Sequence, residues 1–303
     1  MEKLKMEVVL PVKDVRTHLR VRPNQGGPVG PPPPNPVSRS AGRSWLQSFR
    51  LDHFILPIAV FVLTLVFWEM VSQTVAPGIP GPIRTVSKSW DLIRDPFFNR
   101  GPNNKGLGWQ LLYSLGRVAI GFALATAVGI PIGFLLGASP AFYRAVNPLI
   151  QILRPISPLA WLPIGLTAFK AAGPAAFFVI FITSIWPIIL NTAFGVQKIS
   201  PDYLSIARVL RLSAWKRFHK ILLPATLPYT FTGLRISVGI AWLVIVAAEM
   251  LTGGVGIGFF IWDEWNNLNL EHIILAIFVI GIVGLILDGG MALLGRRFDY
   301  EVR

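Results

Sequence analysis

A guanidinium set in an apolar run is the first chemistry this chain offers. Arg154 lies in L-I-Q-I-L-R-P-I-S-P-L-A-W-L-P, directly before Pro155 and close to Pro158. Proline breaks the regular backbone there, and irregular backbone amid apolar surroundings is tolerated where it lines a cavity. A cation held at such a place attracts anions through charge-assisted hydrogen bonds. The competing reading is an arginine that snorkels to the margin of the apolar layer. Glu249 is the matching acid, in W-L-V-I-V-A-A-E-M-L. Its charge argues against direct contact with an anion, and a gating or structural hydrogen-bonding role fits it better. Trp161, Trp186 and Trp242 add polar-edged rings, and Thr183 and Asn191 add neutral polar groups. These are candidates for a weakly polar lining, with interfacial aromatic belts as the alternative for the tryptophans. Arg117, Arg235 and Asp288 fall near the ends of apolar runs, where snorkelling is the default.

A second constellation is S-I-A-R-V-L-R-L-S-A-W-K-R-F-H-K-I-L-L-P, residues 205–224. It is a basic island between long apolar segments. Ile206, Val209, Leu210 and Leu212 recur at helical spacing, so a short helix here is apolar on one face and charged on the other. Such a helix, held by apolar segments on both sides, is placed to dock on a soluble partner.

The elements that position these residues follow from composition. Hydrophobic residues make up 53% of the 303-residue chain and charged residues 14%, well away from soluble usage. A bilayer span takes about 20 apolar residues, and the apolar runs predict six, at about 54–75, 111–137, 148–169, 174–196, 230–251 and 273–294. Proline recurs at or near their ends and kinks, at Pro57, Pro131, Pro155, Pro158, Pro163 and Pro187. The fold class expected is all-α and polytopic. Residues 1–50 carry the Pro31–Pro34 run and nine Lys or Arg. They are expected to form a disordered basic tail, since such a composition buries too little apolar area to offset its ordering entropy. The domain reading is therefore tail 1–50, membrane domain 51–298 with a basic loop at 197–228, and a C-terminal end at 299–303.

Lys and Arg counts orient the spans. The tail, the 197–228 loop and the C-terminal end (Arg296, Arg297, Arg303) are basic, whereas 252–272 carries only Asp263, Glu264 and Glu271. Both termini and the 197–228 loop are thus expected on the cytoplasmic side. The 76–107 loop departs from the rule, with Arg84, Lys88, Arg94, Arg100 and Lys105. Within the second span Gly121, Ala125, Gly129, Gly133 and Gly137 recur every fourth residue. A small-residue stripe of this kind lets helix backbones approach closely, either as static packing or as a sliding surface.

Several classes are excluded or disfavoured. The net charge of +13 sits mainly in tails and loops between spans, which membrane topology explains better than nucleic acid does. There are no cysteines, so no disulfide or thiolate metal site exists. No G-x-x-x-x-G-K-[ST] occurs, so the chain has no P-loop for nucleotide phosphates. His18, His53, His219 and His272 are scattered, and no nucleophile–base pair or metal-ligand spacing stands out. Enzymatic chemistry is not expected.

Residues 205–224 fit the spacing of the cytoplasmic E-A-A-x₃-G-x₉-I-x-L-P loop of ABC importer permeases. Ser205, Ile206 and Ala207 occupy the opening, Arg211 stands where the family has Gly, and Ile221, Leu223 and Pro224 match the ending. L-R-P-I-S-P-L-A-W-L-P (153–163), P-I-I-L-N-T-A-F-G (187–195) and 228–251 resemble the nitrate/sulfonate/taurine branch. Within it, 95–121 and 262–275 resemble cyanobacterial nitrate and bicarbonate permeases. The resemblance covers about residues 54–298.

The resemblance implies a six-span type I importer permease in the plasma (inner) membrane, working by alternating access. The partners it implies are two ABC ATPase subunits that bind ATP and Mg, a substrate-binding protein, and a second permease copy, with membrane lipid around them. The substrate it implies is nitrate or nitrite, with bicarbonate or a sulfonate such as taurine as alternatives. Ser205, Ala207, Arg208, Leu210, Arg211, Leu212, Trp215 and Pro224 would form the coupling segment, with Leu210, Leu212 and Trp215 as apolar anchors and Arg208 and Arg211 meeting acidic rims. The residues themselves leave two other classes open: an ion-gradient carrier, for which no internal repeat is evident, and a scaffold that holds a soluble partner through the basic loop.

Overall fold

A computed structural model describes residues 45–298 except Asn103, and leaves the side chains of 45–54, Leu204 and Arg208 undescribed. The readings made for residues 1–44, for 299–303 and for the Arg208 side chain therefore lie outside the described residues. The chain divides into two units, 1–58 and 59–303. The described part of the first is the opening of helix α1 (Trp45–Thr74). That helix starts inside the segment expected to be tail.

The described residues of the second unit form helices joined by turns and loops, with one isolated bridge between Asn99 and Lys105. After α1 come two short helices, α2 (Pro82–Lys88) and α3 (Trp90–Arg94), then α4 (Leu107–Ala138). Next are α5 (Pro140–Leu153), α6 (Pro158–Phe169) and α7 (Ala172–Gln197). The basic island forms α8 (Pro201–Val209) and α9 (Ala214–Arg217), which runs through a π-turn at Phe218–Leu222 into α10 (Leu223–Thr252). The chain closes with α11 (Ile257–Asn266) and α12 (Leu270–Arg296). In an apolar layer every backbone amide must be satisfied within the protein, and the long runs do so as helices. Proline sets several starts, in the first turn of α2, α5 and α6, where its missing N–H costs nothing.

The small-residue stripe of α4 decides the central packing. A methyl group added at Gly121 would meet Ile180, one at Gly129 Ile188, one at Gly133 Thr192, and one at Gly137 Val196. Ala125, between them, is wholly buried. The partner numbers rise with the α4 numbers, so α4 and α7 run parallel, backbone against backbone. This is the close approach that the four-residue spacing predicts. On its other side α7 meets α10 running antiparallel. Gly195 packs on Tyr229, Gly233 on Asn191 and the Pro187 carbonyl, and Ser237 Oγ donates to the Ser184 carbonyl at 2.6 Å. α7 is the most buried long helix, and α1 and α12 are equally bare, their apolar faces left outward.

The span expected at 148–169 is corrected. It is not one helix: α5 and α6 meet at 97°. Pro155 and Pro158 account for the break, because each lacks an N–H and Pro158 holds the residue before it out of the helical region, while Arg154 before Pro155 stays helical. Ser157, before Pro158, is extended. Among the described residues five helices are long and apolar enough to cross a membrane, and the bent pair makes a sixth if counted as one. Topology favours counting it, because two parallel helices in register need a return crossing between them.

The helices share two ends. At one lie the 75–106 and 253–269 segments, at the other the α7–α10 connection and the end of α12. At the first end Arg84 Nε pairs with Glu271 Oε1 at 2.8 Å. Arg100 lies 4.9 Å over the Phe98 ring and Lys105 5.1 Å over Tyr113. The basic 76–107 loop that strains the positive-inside rule is thus partly matched by Glu271 of α12 and by the Phe98 and Tyr113 rings.

Candidate functional site

The elbow between α5 and α6 builds the site. Arg154 caps α5, its amide donating to the Ile150 carbonyl at 2.9 Å. Beside it opens a cavity of about 400 Å³, walled by Arg154, Ile156 and Pro158 of the elbow, by the α7 residues Thr183, Trp186, Pro187, Leu190 and Asn191, and by Ile236 and Ile240 of α10. Pro187 denies the Thr183 carbonyl its usual helical donor. One turn on, Asn191 Nδ2 donates to the Pro187 carbonyl at 2.8 Å, while Thr183 Oγ1 donates to Val179 O at 2.7 Å. The walls are therefore mostly apolar, with Arg154, the Trp186 ring edge, Asn191 and Thr183 as the polar points.

Of the seven residues expected along a pathway, Arg154, Thr183, Trp186 and Asn191 meet at this cavity. The other three lie elsewhere. Trp161 packs edge-on against Phe178, with ring centroids 6.3 Å apart. Trp242 is buried, and its indole donates to the Ile280 carbonyl at 3.0 Å. Glu249 belongs to a separate knot. The cavity walls Ile236 and Ile240 escaped the sequence reading, since apolar residues one helical turn apart carry no chemical mark.

Glu249 is 1% exposed. Its carboxylate accepts from Ser114 Oγ at 2.7 Å, from Arg117 Nη1 at 2.5 Å and from the Gly258 amide at 3.1 Å. Arg117 also donates to the Val255 carbonyl at 2.7 Å, Ser114 Oγ accepts from the Ile257 amide, and Gln110 Oε1 accepts from the Gly256 amide. The knot clasps the α10–α11 turn to α4. Gly256 and Gly258 are required there, because a Cβ at either would collide with Glu249 or the Val246 carbonyl. The structural hydrogen-bonding role is what the geometry displays.

Two snorkelling assignments are corrected. Arg117 is held by Glu249, and Arg235 makes a two-pronged pair with Asp288 at 2.6 and 2.5 Å. Opposite charges on different spans seek one another, and that rule was the signal available in the sequence. Arg154, by contrast, has no carboxylate partner among the described residues.

At the other end, α8 closes with a left-handed residue. Arg211 has φ of +47°, and the Leu212 amide reaches back to the Ala207 carbonyl at 3.0 Å. This is the helix-ending motif that glycine ordinarily serves. The turn stays at the position of the family's Gly, with Arg adopting the strained conformation. Ser213 then caps α9, accepting from the Lys216 amide. Ala207 is buried, Leu212 and Pro224 are half-buried, and Ser205 is exposed. Val209, Leu210 and Trp215 stand 82%, 63% and 71% exposed. Of the three expected anchors, Leu210 and Trp215 face outward and Leu212 is spent on the cap. Phe218 links this segment to the bundle, meeting the Phe134 ring at 5.0 Å.

Residues 129–300, more than half of the chain, match the family described as binding-protein-dependent transport system inner membrane component. The chain belongs to that family. The nitrate import permease protein NrtB of Synechocystis sp. is 50% identical over 79% of this chain and 87% of its own length. The protein of the same name from Leptolyngbya laminosa is 52% identical, over 79% and 85%. The bicarbonate transport system permease protein CmpB of Synechocystis sp. is 48% identical, over 86% and 95%. An inward-facing MetNI methionine ABC transporter structure shares the fold, with a TM-score of 0.54 at 16% identity, covering 63% of this chain and 97% of that one. This permease is therefore a multi-pass inner-membrane subunit of an ABC importer, in which ATP hydrolysis lies on partner subunits and a binding protein serves the complex.

Proposed function

We infer that this permease carries nitrate and nitrite inward. The observation that carries the reading is the uncompensated Arg154 on an otherwise apolar cavity at the α5–α6 elbow. A cavity with one cation and few other polar groups attracts a small anion without holding it tightly, which suits a carrier supplied by a separate binding protein. The relatives named for nitrate support the anion class. Arg154, Trp186, Thr183 and Asn191 form the pathway lining. Arg154 and Ile236 are exposed in a single copy, and a second, identical copy closes the pathway over them. The end bearing α8 and α9 faces the cytoplasm with both chain termini, since it gathers Lys198, Arg211, Lys216, Arg217, Lys220, Arg296 and Arg297. There Leu210 and Trp215 enter a cleft of the ATPase, which binds ATP and Mg. Closure of the nucleotide dimer becomes a rigid-body rotation of the helices.

The experiment is ATP hydrolysis by the complex reconstituted with its ATPases and binding protein, compared in nitrate, bicarbonate and taurine. Stimulation by nitrate is the expected result, and stimulation by taurine alone would overturn it. Bicarbonate is the second reading, favoured by the relatives named for it at 48% identity. Both anions are planar and singly charged, so selection between them falls to the binding protein.

A further inference from the structure

We propose that α2 and α3 form an interfacial helix that lies in the membrane margin at the non-coupling end, its apolar stripe in the lipid and its basic stripe at the headgroups. The two helices abut at Ser89, which closes α2 by donating its amide to Thr85 O at 3.0 Å and opens α3 by accepting from the Ile93 amide at 3.2 Å. At 3.6 residues per turn their side chains sort into three faces. Thr85, Ser89 and Leu92 are buried against the bundle. Ile83, Val86, Trp90 and Ile93, spaced by three, four and three residues, are 70%, 49%, 55% and 39% exposed. Arg84, Ser87, Lys88, Asp91 and Arg94 occupy the remaining third and are exposed.

A helix standing in water beside a bundle needs only two faces, one buried and one polar. A separate apolar third, flanked by the buried face on one side and cations on the other, fits an element with three surroundings: protein, acyl chains and water. Location agrees. The pair follows the end of α1 after a short turn, and Arg84 is tied to Glu271 in the first turn of α12, so it lies level with the ends of two spans. Near those span ends α12 and the end of α1 also present apolar side chains outward, with Met70, Val75 and Ile277 exposed. Lys88 and Arg94 have no acidic partner among the described residues and match lipid phosphates in charge. Trp90 has the aromatic character favoured at that depth.

The chain has no cysteine, so each single-cysteine variant of it offers one site for a spin label, with partner subunits freed of cysteine. Ile83→Cys, Val86→Cys, Trp90→Cys, Ile93→Cys, Ser87→Cys and Arg94→Cys would each be labelled in the assembled transporter in nanodiscs containing phosphatidylglycerol. Collisions with oxygen and with a water-soluble nickel chelate would then be compared. Labels at 83, 86, 90 and 93 should favour oxygen, and labels at 87 and 94 should favour the chelate. Six positions share the readout, so one variant that fails to assemble leaves the pattern readable. Chelate access at all six would overturn the proposal. So would apolar positions that become shielded only when the binding protein is added, since the stripe would then be a protein dock.

Discussion

Three side chains carry testable weight at the residue scale. Arg154→Ala should lower uptake strongly while the complex still assembles in normal amount. Wild-type uptake at that abundance would reduce Arg154 to a marginal snorkelling residue. Arg211 holds a left-handed backbone at a cost of about 1–2 kcal/mol, so Arg211→Gly should raise the melting temperature slightly and keep ATPase association. A loss of association would mean that the guanidinium itself is a contact. Glu249→Ala leaves the half-buried Arg117 without its partner, and the loss of about 3–5 kcal/mol on breaking a fully buried pair is the upper bound here. The purified complex should melt markedly earlier, and Arg117→Met in the same chain should recover part of the loss. The charged residues themselves were legible as outliers in apolar runs. Their partners were not, because Ser114 and Arg117 meet Glu249 from more than a hundred residues away, and nothing local encodes that pairing. Arg211 is the opposite case: the family spacing marked the position, and the backbone kept the turn there despite the substitution.

At the scale of elements, the stripe on α4 was fully legible, since a four-residue repeat of small side chains is a local property that dictates close packing. The α5–α6 elbow was legible only in part. Pro155 and Pro158 announce an interruption, yet the size of the bend depends on what α6 packs against, chiefly α7. The coupling segment shows the same division. Amphipathic spacing located it, but which leucine lies at the helix end and which stands outward depends on the turn. Leu210→Asp combined with Trp215→Asp should therefore abolish co-purification with the ATPase while membrane insertion stays normal. Leu212→Asp should act differently: the backbone cap survives, but a carboxylate at this half-buried position should lower stability as well.

For the molecule as a whole, the order of helices and the distribution of charge make a topological prediction. Alkaline phosphatase fused in the 253–269 segment should be active, and the same enzyme fused after Arg297 should be silent, since one lies at the end expected outside and the other at the end expected inside. The reverse pattern would invert the proposed direction of transport.

The glycine stripe has a mechanical corollary. Two helices locked along their length move as one beam, and α7 spans 26 residues, about 39 Å at 1.5 Å per residue. A tilt of about 10°, within the range of known subunit rotations, applied where α7 meets the coupling segment would swing its far tip by roughly 7 Å. Leverage of this kind needs no flexible joint inside the beam, so substitutions that merely loosen the α4–α7 seam should waste ATP strokes before they unfold the protein.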